Sequence, residues 1–330
     1  MAPLPRYLTF AEHRTAWLAG AFGTVAMVVF FAVTIDATTV TQAWQSIPAS
    51  ILIIATLMTA SNAIFEGEWL RIITRDSAPP SQSYRVVAWQ LLLQTTLPAR
   101  LGDLGVIYFI HRWLRQPTGR ALFVTLYHRL QDLIAVTGLL LLSLLLARAE
   151  MVSLPVVCAA IALCVLLGIG CASLGPALGL CGHILLGLQR RYPRVRWLMF
   201  AVRQVLRIRV WYRHRLRRQQ VVASFALVVV RWIIILSALG MVIGSLVPQA
   251  AAADSFFLAT AYIYFGVVPL QGFGGYGTSE IGLAWLLTFY GVSLPQASAL
   301  VLLLRLLINI VHVGLWSVMV ISLRWRERAR

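Results

Sequence analysis

The chain has 330 residues, 60% of them hydrophobic and only 12% charged, with 28 basic residues against 11 acidic and a net charge of +17. A soluble core of this size cannot hide so much continuous apolar surface, which excludes an ordinary soluble enzyme or binding domain. The charge is concentrated: residues 189–219 carry 11 of the basic residues and no acid, and every basic residue in the chain is arginine.

Apolar runs long enough to cross a hydrocarbon core of about 30 Å cover residues 17–35, 47–65, 121–147, 154–175, 221–247 and 295–323. Arg6 and Arg14 precede the first run, which is too long for a signal-peptide core and reads as an uncleaved transmembrane helix. Arginine-rich segments stay cytoplasmic, so the chain starts inside and residues 36–46, with Asp36 and no basic residue, lie outside. Glu66 and Glu68, beside Arg71, mark the cytoplasmic end of the second helix. Arg71, Arg75 and Arg85 are inside, as are Arg112, Arg115 and Arg120. The apolar stretch 86–110 between these groups must enter from the cytoplasm and return to it. Pro98 and Gly102 fall in its middle, where a helix breaks, so a re-entrant hairpin is predicted.

The second half mirrors this order. Residues 221–247 rise from the basic segment to the outside, where Asp254 has no basic neighbour. Residues 255–291 start and finish outside, broken between Pro269 and Gly277. Residues 295–323 return to a tail with Arg324, Arg326, Arg328 and Arg330. Helix, broken hairpin and arginine-bearing helix thus occur twice with opposite orientation. The expectation is one integral membrane domain over residues 1–330, an all-α polytopic protein with about six full transmembrane helices and two re-entrant broken-helix hairpins. The inverted repeats are expected near 47–147 and 221–323, with both termini cytoplasmic. Broken backbone at membrane depth must face protein or a wet cavity.

Ionisable residues inside a membrane are costly and mark sites. The candidates are Arg100, Asp103, Arg129, Asp132, Arg231, Glu280 and Arg305. Arg129 and Asp132 are three apart on one helix and can pair. Glu280 follows Gly277 by three residues, in the first turn of a half-helix, where an acid suits the helix dipole. With Thr278 or Ser279, the same helix start can hold a phosphate oxygen. Asp103 with Arg129 or Arg305, and Glu280 with Arg305 or Arg129, are also the partners that closed structural ion pairs would use. Arg231, about ten residues from the cytoplasmic helix end, is expected to reach back to the interface.

Other motifs carry less. Cys158, Cys164, Cys171 and Cys181 sit in or beside one apolar segment without a Cys-x-x-Cys pair and read as small packing residues. His111, His128 and His312 lack metal-ligand spacing. Gly272–Gly277 matches G-x-G-x-x-G with no preceding strand, so it is not a nucleotide fingerprint. No cofactor is expected. The basic segment, although it holds Trp197, Trp211 and Tyr212, reads as a cytoplasmic loop on anionic headgroups rather than a nucleic-acid surface.

Three motifs carry a resemblance: Pro98-Ala99-Arg100-Leu101-Gly102-Asp103, the Arg129-x-x-Asp132 pair, and Gly274-Gly275-Tyr276-Gly277-Thr278-Ser279-Glu280 followed by Gly291-Val292 and Arg305. In these the chain resembles the transmembrane, flippase-like domain of the lysylphosphatidylglycerol synthase family, over approximately residues 15–323. The resemblance implies transmembrane helices with paired re-entrant helices and a role in moving a lipid between leaflets. In full-length synthases a soluble aminoacyl-transferase domain follows; these 330 residues hold no counterpart, so lysyl transfer is not expected of them. The family usually has Glu where this chain has Asp103, arginine where it has Val106, and often arginine where it has Ser279.

The leading expectation is a bacterial inner-membrane lipid translocase. Arg100, Arg129 and Arg305 would attract a phosphate or carboxylate. Asp103 and Glu280 would balance the empty site or bind a cationic portion, with Asp132 beside Arg129 among the substrate-binding candidates. Ser279 would add a hydroxyl, and Gly102, Gly274, Gly275 and Gly277 would let backbone approach the headgroup. The lipid would be a phospholipid, glycolipid or polyprenyl lipid. Two alternatives stand beside it: a membrane-embedded lipid-modifying transferase with Asp103 or Glu280 as base, and a scaffold recruiting lipid-synthesis enzymes.

Overall fold

The computed structural model describes residues 37–74, 79–96, 101–147, 174–191, 217–266 and 277–328, with isolated positions besides. Ten helices run through them: α1 (Ala37–Ser46), α2 (Ala49–Thr74), α3 (Pro80–Thr96), α4 (Leu101–Trp113), α5 (Thr118–Ala147), α6 (Leu174–Arg191), α7 (Arg218–Leu246), α8 (Ala252–Phe265), α9 (Thr278–Thr288) and α10 (Leu294–Arg328). Among the described residues there is no strand, and the protein is an all-α polytopic membrane protein.

Proline sets several helix starts. Pro48, Pro79 and Pro117 each offer a carbonyl to the first turn of α2, α3 and α5, and Pro295 lies in the first turn of α10. At these positions the missing N–H is no loss and the fixed φ suits the helix. Four helices are long and apolar enough to cross a membrane: Ala49–Thr74, Thr118–Ala147, Gln219–Leu246 and Leu294–Ser322. Nearly all of the predicted spans at 17–35 and 154–175 lies outside the described residues.

Residues 37–46 form helix α1, which packs against α10, and one local expectation changes. Helix α2 does not stop at Glu66 but continues to Thr74, where Arg120 Nη2 donates to the Thr74 carbonyl at 2.9 Å and Gln220 Nε2 to that of Ile72 at 3.1 Å. Cationic and amide donors at a helix C-terminus satisfy its orphan carbonyls and oppose its dipole.

The short helices come in two pairs, α3 with α4 and α8 with α9, each followed by a long helix. Packing crosses between the halves of the chain. Helix α2 lies along α7, α8 lies on α5, and α3 lies on α10. One apolar core joins α7–α10 through Leu236, Leu258, Leu283 and Val301; another joins α2–α5 through Trp69, Val86, Ile110 and Val124. Trp232 packs against both. Outside these cores, Leu57, Leu146, Ile310 and Ile321 remain largely exposed, as lipid-facing side chains do.

Close backbone approach explains Gly102. A Cβ there would stand 2.9 Å from the carbonyl carbon and oxygen of Leu93, so only glycine lets α4 fold back on α3 at this distance. The second pair is tied at both ends. Thr278 Oγ1 donates to the Phe265 carbonyl at 3.0 Å, and Tyr290 hydroxyl donates to Asp254 at 2.9 Å. Helix α9 ends in a Schellman motif: Gly291 adopts φ 78°, its N–H reaches the Thr288 carbonyl at 3.1 Å, and the Val292 N–H reaches that of Leu287 at 3.3 Å.

Candidate functional site

The start of α9 is built around Glu280. Its carboxylate folds back to accept the Gly277 N–H at 2.7 Å, the Ser279 hydroxyl at 2.8 Å and the Tyr262 hydroxyl at 2.9 Å. An acid at the third helical position satisfies an orphan donor and meets the positive end of the helix. Glu280 is only 1% exposed, and Arg305 Nε from α10 lies 3.8 Å from its Oε1. Arg305 Nη1 also donates to the Tyr262 oxygen at 3.5 Å. Tyr262 therefore bridges an acid and a guanidinium, joining α8, α9 and α10.

On α5, Arg129 and Asp132 sit three residues apart, and Arg129 Nη1 donates to Asp132 Oδ2 at 3.4 Å. Packing of α8 on α5 brings this pair to the α9 start. The result is a cavity of about 330 Å³ lined by Arg129, Asp132, Trp232, Tyr262, Ser279 and Arg305, among others. Two guanidiniums from the two halves of the chain border one polar space.

Behind Asp132 lies a buried charged cluster. Arg231 of α7, 3% exposed, donates through Nη1 to Glu66 Oε1 at 3.0 Å and through Nη2 to Asp132 Oδ1. Trp232 Nε1 donates to the same Asp132 oxygen at 2.9 Å, and Gln90 Nε2 donates to Glu66 Oε1 at 2.9 Å. Arg231 Nη1 also lies 3.0 Å from His128 Nε2. Because a guanidinium only donates, this nitrogen is the acceptor in that contact. Trp69 packs its ring 4.3 Å from that of His128 and donates through Nε1 to Gln131, which in turn donates to Ser224 at 3.0 Å. The cluster thus locks α2, α5 and α7 together, with α3 contributing Gln90.

With this geometry established, similarity to known proteins becomes informative. The model of the lysylphosphatidylglycerol synthase transmembrane region matches residues 17–326. The chain belongs to that family. Comparison with curated proteins finds no match. Membership in this family, together with the membrane-crossing helices, makes the chain an integral membrane protein with a lipid-related function.

Within this family member, the sequence candidates divide by position. Arg129, Asp132, Ser279 and Arg305 meet at the cavity. Glu280 and Gly277 lie just behind Ser279 and organise the α9 start. Gly102 sits at the α3–α4 contact. Arg100, Gly274 and Gly275 lie outside the described residues, as does the side chain of Asp103, whose backbone begins α4.

Two readings are corrected. Arg231 does not reach back to the interface; it is buried in mid-helix between two acids. Glu66 is not at a helix end and is only 7% exposed, whereas Glu68 does pair with Arg71 at 2.9 Å. Trp232 and Tyr262 were also missed. Their signal in the sequence was weak: aromatic residues with polar tips inside apolar runs, which serve as interface anchors just as often.

Proposed function

We propose that this protein is a lipid translocase, carrying an anionic headgroup between leaflets through the cavity at Arg129 and Arg305. The observation that supports this best is the convergence of those two arginines, with Ser279 and Tyr262, on one space of about 330 Å³. That volume lies at the lower end of small-molecule sites, about 300–1,000 Å³, and suits a headgroup rather than a whole lipid. Both arginines present fixed forks that match phosphate or carboxylate oxygens. Phospholipid, polyprenyl-phosphate and acidic glycolipid headgroups carry such groups.

The exchanged packing of α5 on α8 and α10 on α3 supports an inverted repeat near 47–147 and 221–323. The α3–α4 and α8–α9 pairs would then be re-entrant hairpins from opposite faces. Arginine distribution favours both termini in the cytoplasm and the 189–219 segment on anionic headgroups, and the membrane we propose is a bacterial inner membrane.

Native mass spectrometry of the purified protein, wild type beside Arg305→Ala, tests the site. One lipid class held by wild type and lost in the variant, followed by leaflet exchange of that lipid in proteoliposomes, is the expected result. A new product mass from protein plus lipid would instead point to a transferase. No selective lipid and no exchange would sink the translocase reading and favour a scaffold.

A further inference from the structure

The translocase reading leaves the buried cluster behind the cavity without a role, yet its charges are finely balanced. Among the described side chains, Glu66 and Asp132 are opposed by Arg231 and Arg129, two carboxylates against two guanidiniums. Arg129 is the shared member. It lines the large cavity with Asp132 and also lines a second cavity of about 20 Å³ beside Glu66, Gln90 and His128. A space of that size admits one water molecule. Among the described side chains that line it, α4 contributes Val106 and Ile110 and α3 contributes Val87 and Gln90, none of them charged.

The hydrogen bonds single out one atom. Both Asp132 oxygens are engaged, by Arg231 and Trp232 on one side and Arg129 on the other. His128 Nε2 accepts from Arg231. Glu66 Oε1 accepts from Arg231 and Gln90, while Glu66 Oε2 is buried with no hydrogen-bond partner. An anion held by Arg129 in the large cavity draws that cation's compensation away from the cluster and leaves it one negative charge in excess. In a medium that solvates charge poorly, such an excess is relieved by binding a proton.

We propose that Glu66 Oε2 is a proton-binding site coupled through Arg129 to anion binding in the large cavity, so that a proton enters with the anionic headgroup. This inference rests on the translocase reading. The step is a single proton transfer: an O–H bond forms at Glu66 Oε2 as one O–H bond of a hydronium ion from solvent breaks, leaving a neutral water molecule. Coupling is reciprocal, so a bound anion tightens the proton and a lower pH tightens the anion.

The test titrates the detergent-purified full chain with dioctanoyl phosphatidylglycerol in weakly buffered solution containing a pH indicator, with zwitterionic, net-neutral dioctanoyl phosphatidylcholine as the comparison. Wild type should take up close to one proton per phosphatidylglycerol bound, and its affinity should rise by up to about tenfold per unit fall in pH. Glu66→Gln should bind the lipid with a flat pH profile and no uptake, whereas His128→Gln should retain uptake. Uptake kept by Glu66→Gln and lost in His128→Gln would overturn the Glu66 assignment. Should Glu66→Gln fail to fold, wild type decides. Lipid bound without proton uptake overturns the coupling but leaves the lipid site standing; no lipid bound overturns both.

Discussion

Arg231 and Asp132, 99 residues apart in sequence, are joined by a direct hydrogen bond between buried side chains, and Arg231 also holds Glu66. Removing one partner of a buried pair leaves a stranded charge, which costs far more than the pair's net stabilisation. Arg231→Met should therefore lower stability by roughly 3–5 kcal/mol. The triple change Arg231→Met, Glu66→Gln, Asp132→Asn should recover most of that loss. Thermal unfolding in detergent followed by size-exclusion chromatography distinguishes them; equal losses in both variants would show that packing, not charge, dominates.

Tyr262→Phe keeps the ring that lines the cavity and removes only the hydroxyl between Glu280 and Arg305. The hydrogen bond to a charged acceptor is worth about 1.5–3 kcal/mol. The variant should stay folded, with lipid retention reduced severalfold because Arg305 loses one of its positioning contacts. Retention unchanged in native mass spectrometry would mean that Arg305 is held by its other neighbours alone.

Glu280→Gln tests the α9 start. One of the two oxygens becomes an amide that donates, yet Glu280 accepts from three donors: the Gly277 N–H, the Ser279 hydroxyl and the Tyr262 hydroxyl. A buried donor facing donors costs about 1–3 kcal/mol. Leaflet exchange should fall sharply in this variant while folded protein is still recovered. Wild-type exchange would remove Glu280 from the machinery.

Two glycines separate packing from propensity. Gly102→Ala forces a Cβ to within 2.9 Å of the Leu93 backbone and should destabilise by about 1–3 kcal/mol, the range for overpacking. Gly138→Ala, in α5 with nothing within 4 Å, should be neutral or stabilise by up to about 1 kcal/mol. Melting temperatures of the two variants should move in different directions or by clearly different amounts.

The parts of this architecture that were legible in sequence are those written in local chemistry. Gly277 announced the start of α9, and the three-residue spacing of Arg129 and Asp132 announced a shared face. Glu66 and Arg231 were misread for one physical reason. Charges interrupt a hydropathy run whether they sit at a helix end or deep in a bundle, and the positive-inside rule assigns a side but not a depth. What fixes their depth is a partner on another helix, 165 residues away for Glu66 and Arg231. Tyr262 was invisible for the same reason, since its partners Glu280 and Arg305 lie on helices that meet only after folding.

The exchange of contacts between the halves has a consequence for assembly. Since α8 seats on α5, each half of the chain supplies part of the cavity wall: α5 brings Arg129 and Asp132, and α7–α10 bring Trp232, Tyr262, Ser279 and Arg305. A polypeptide divided between Arg191 and Arg217 would yield two fragments that are each missing a wall. Neither would bind a headgroup when expressed singly, and co-expression would restore the function by complementation.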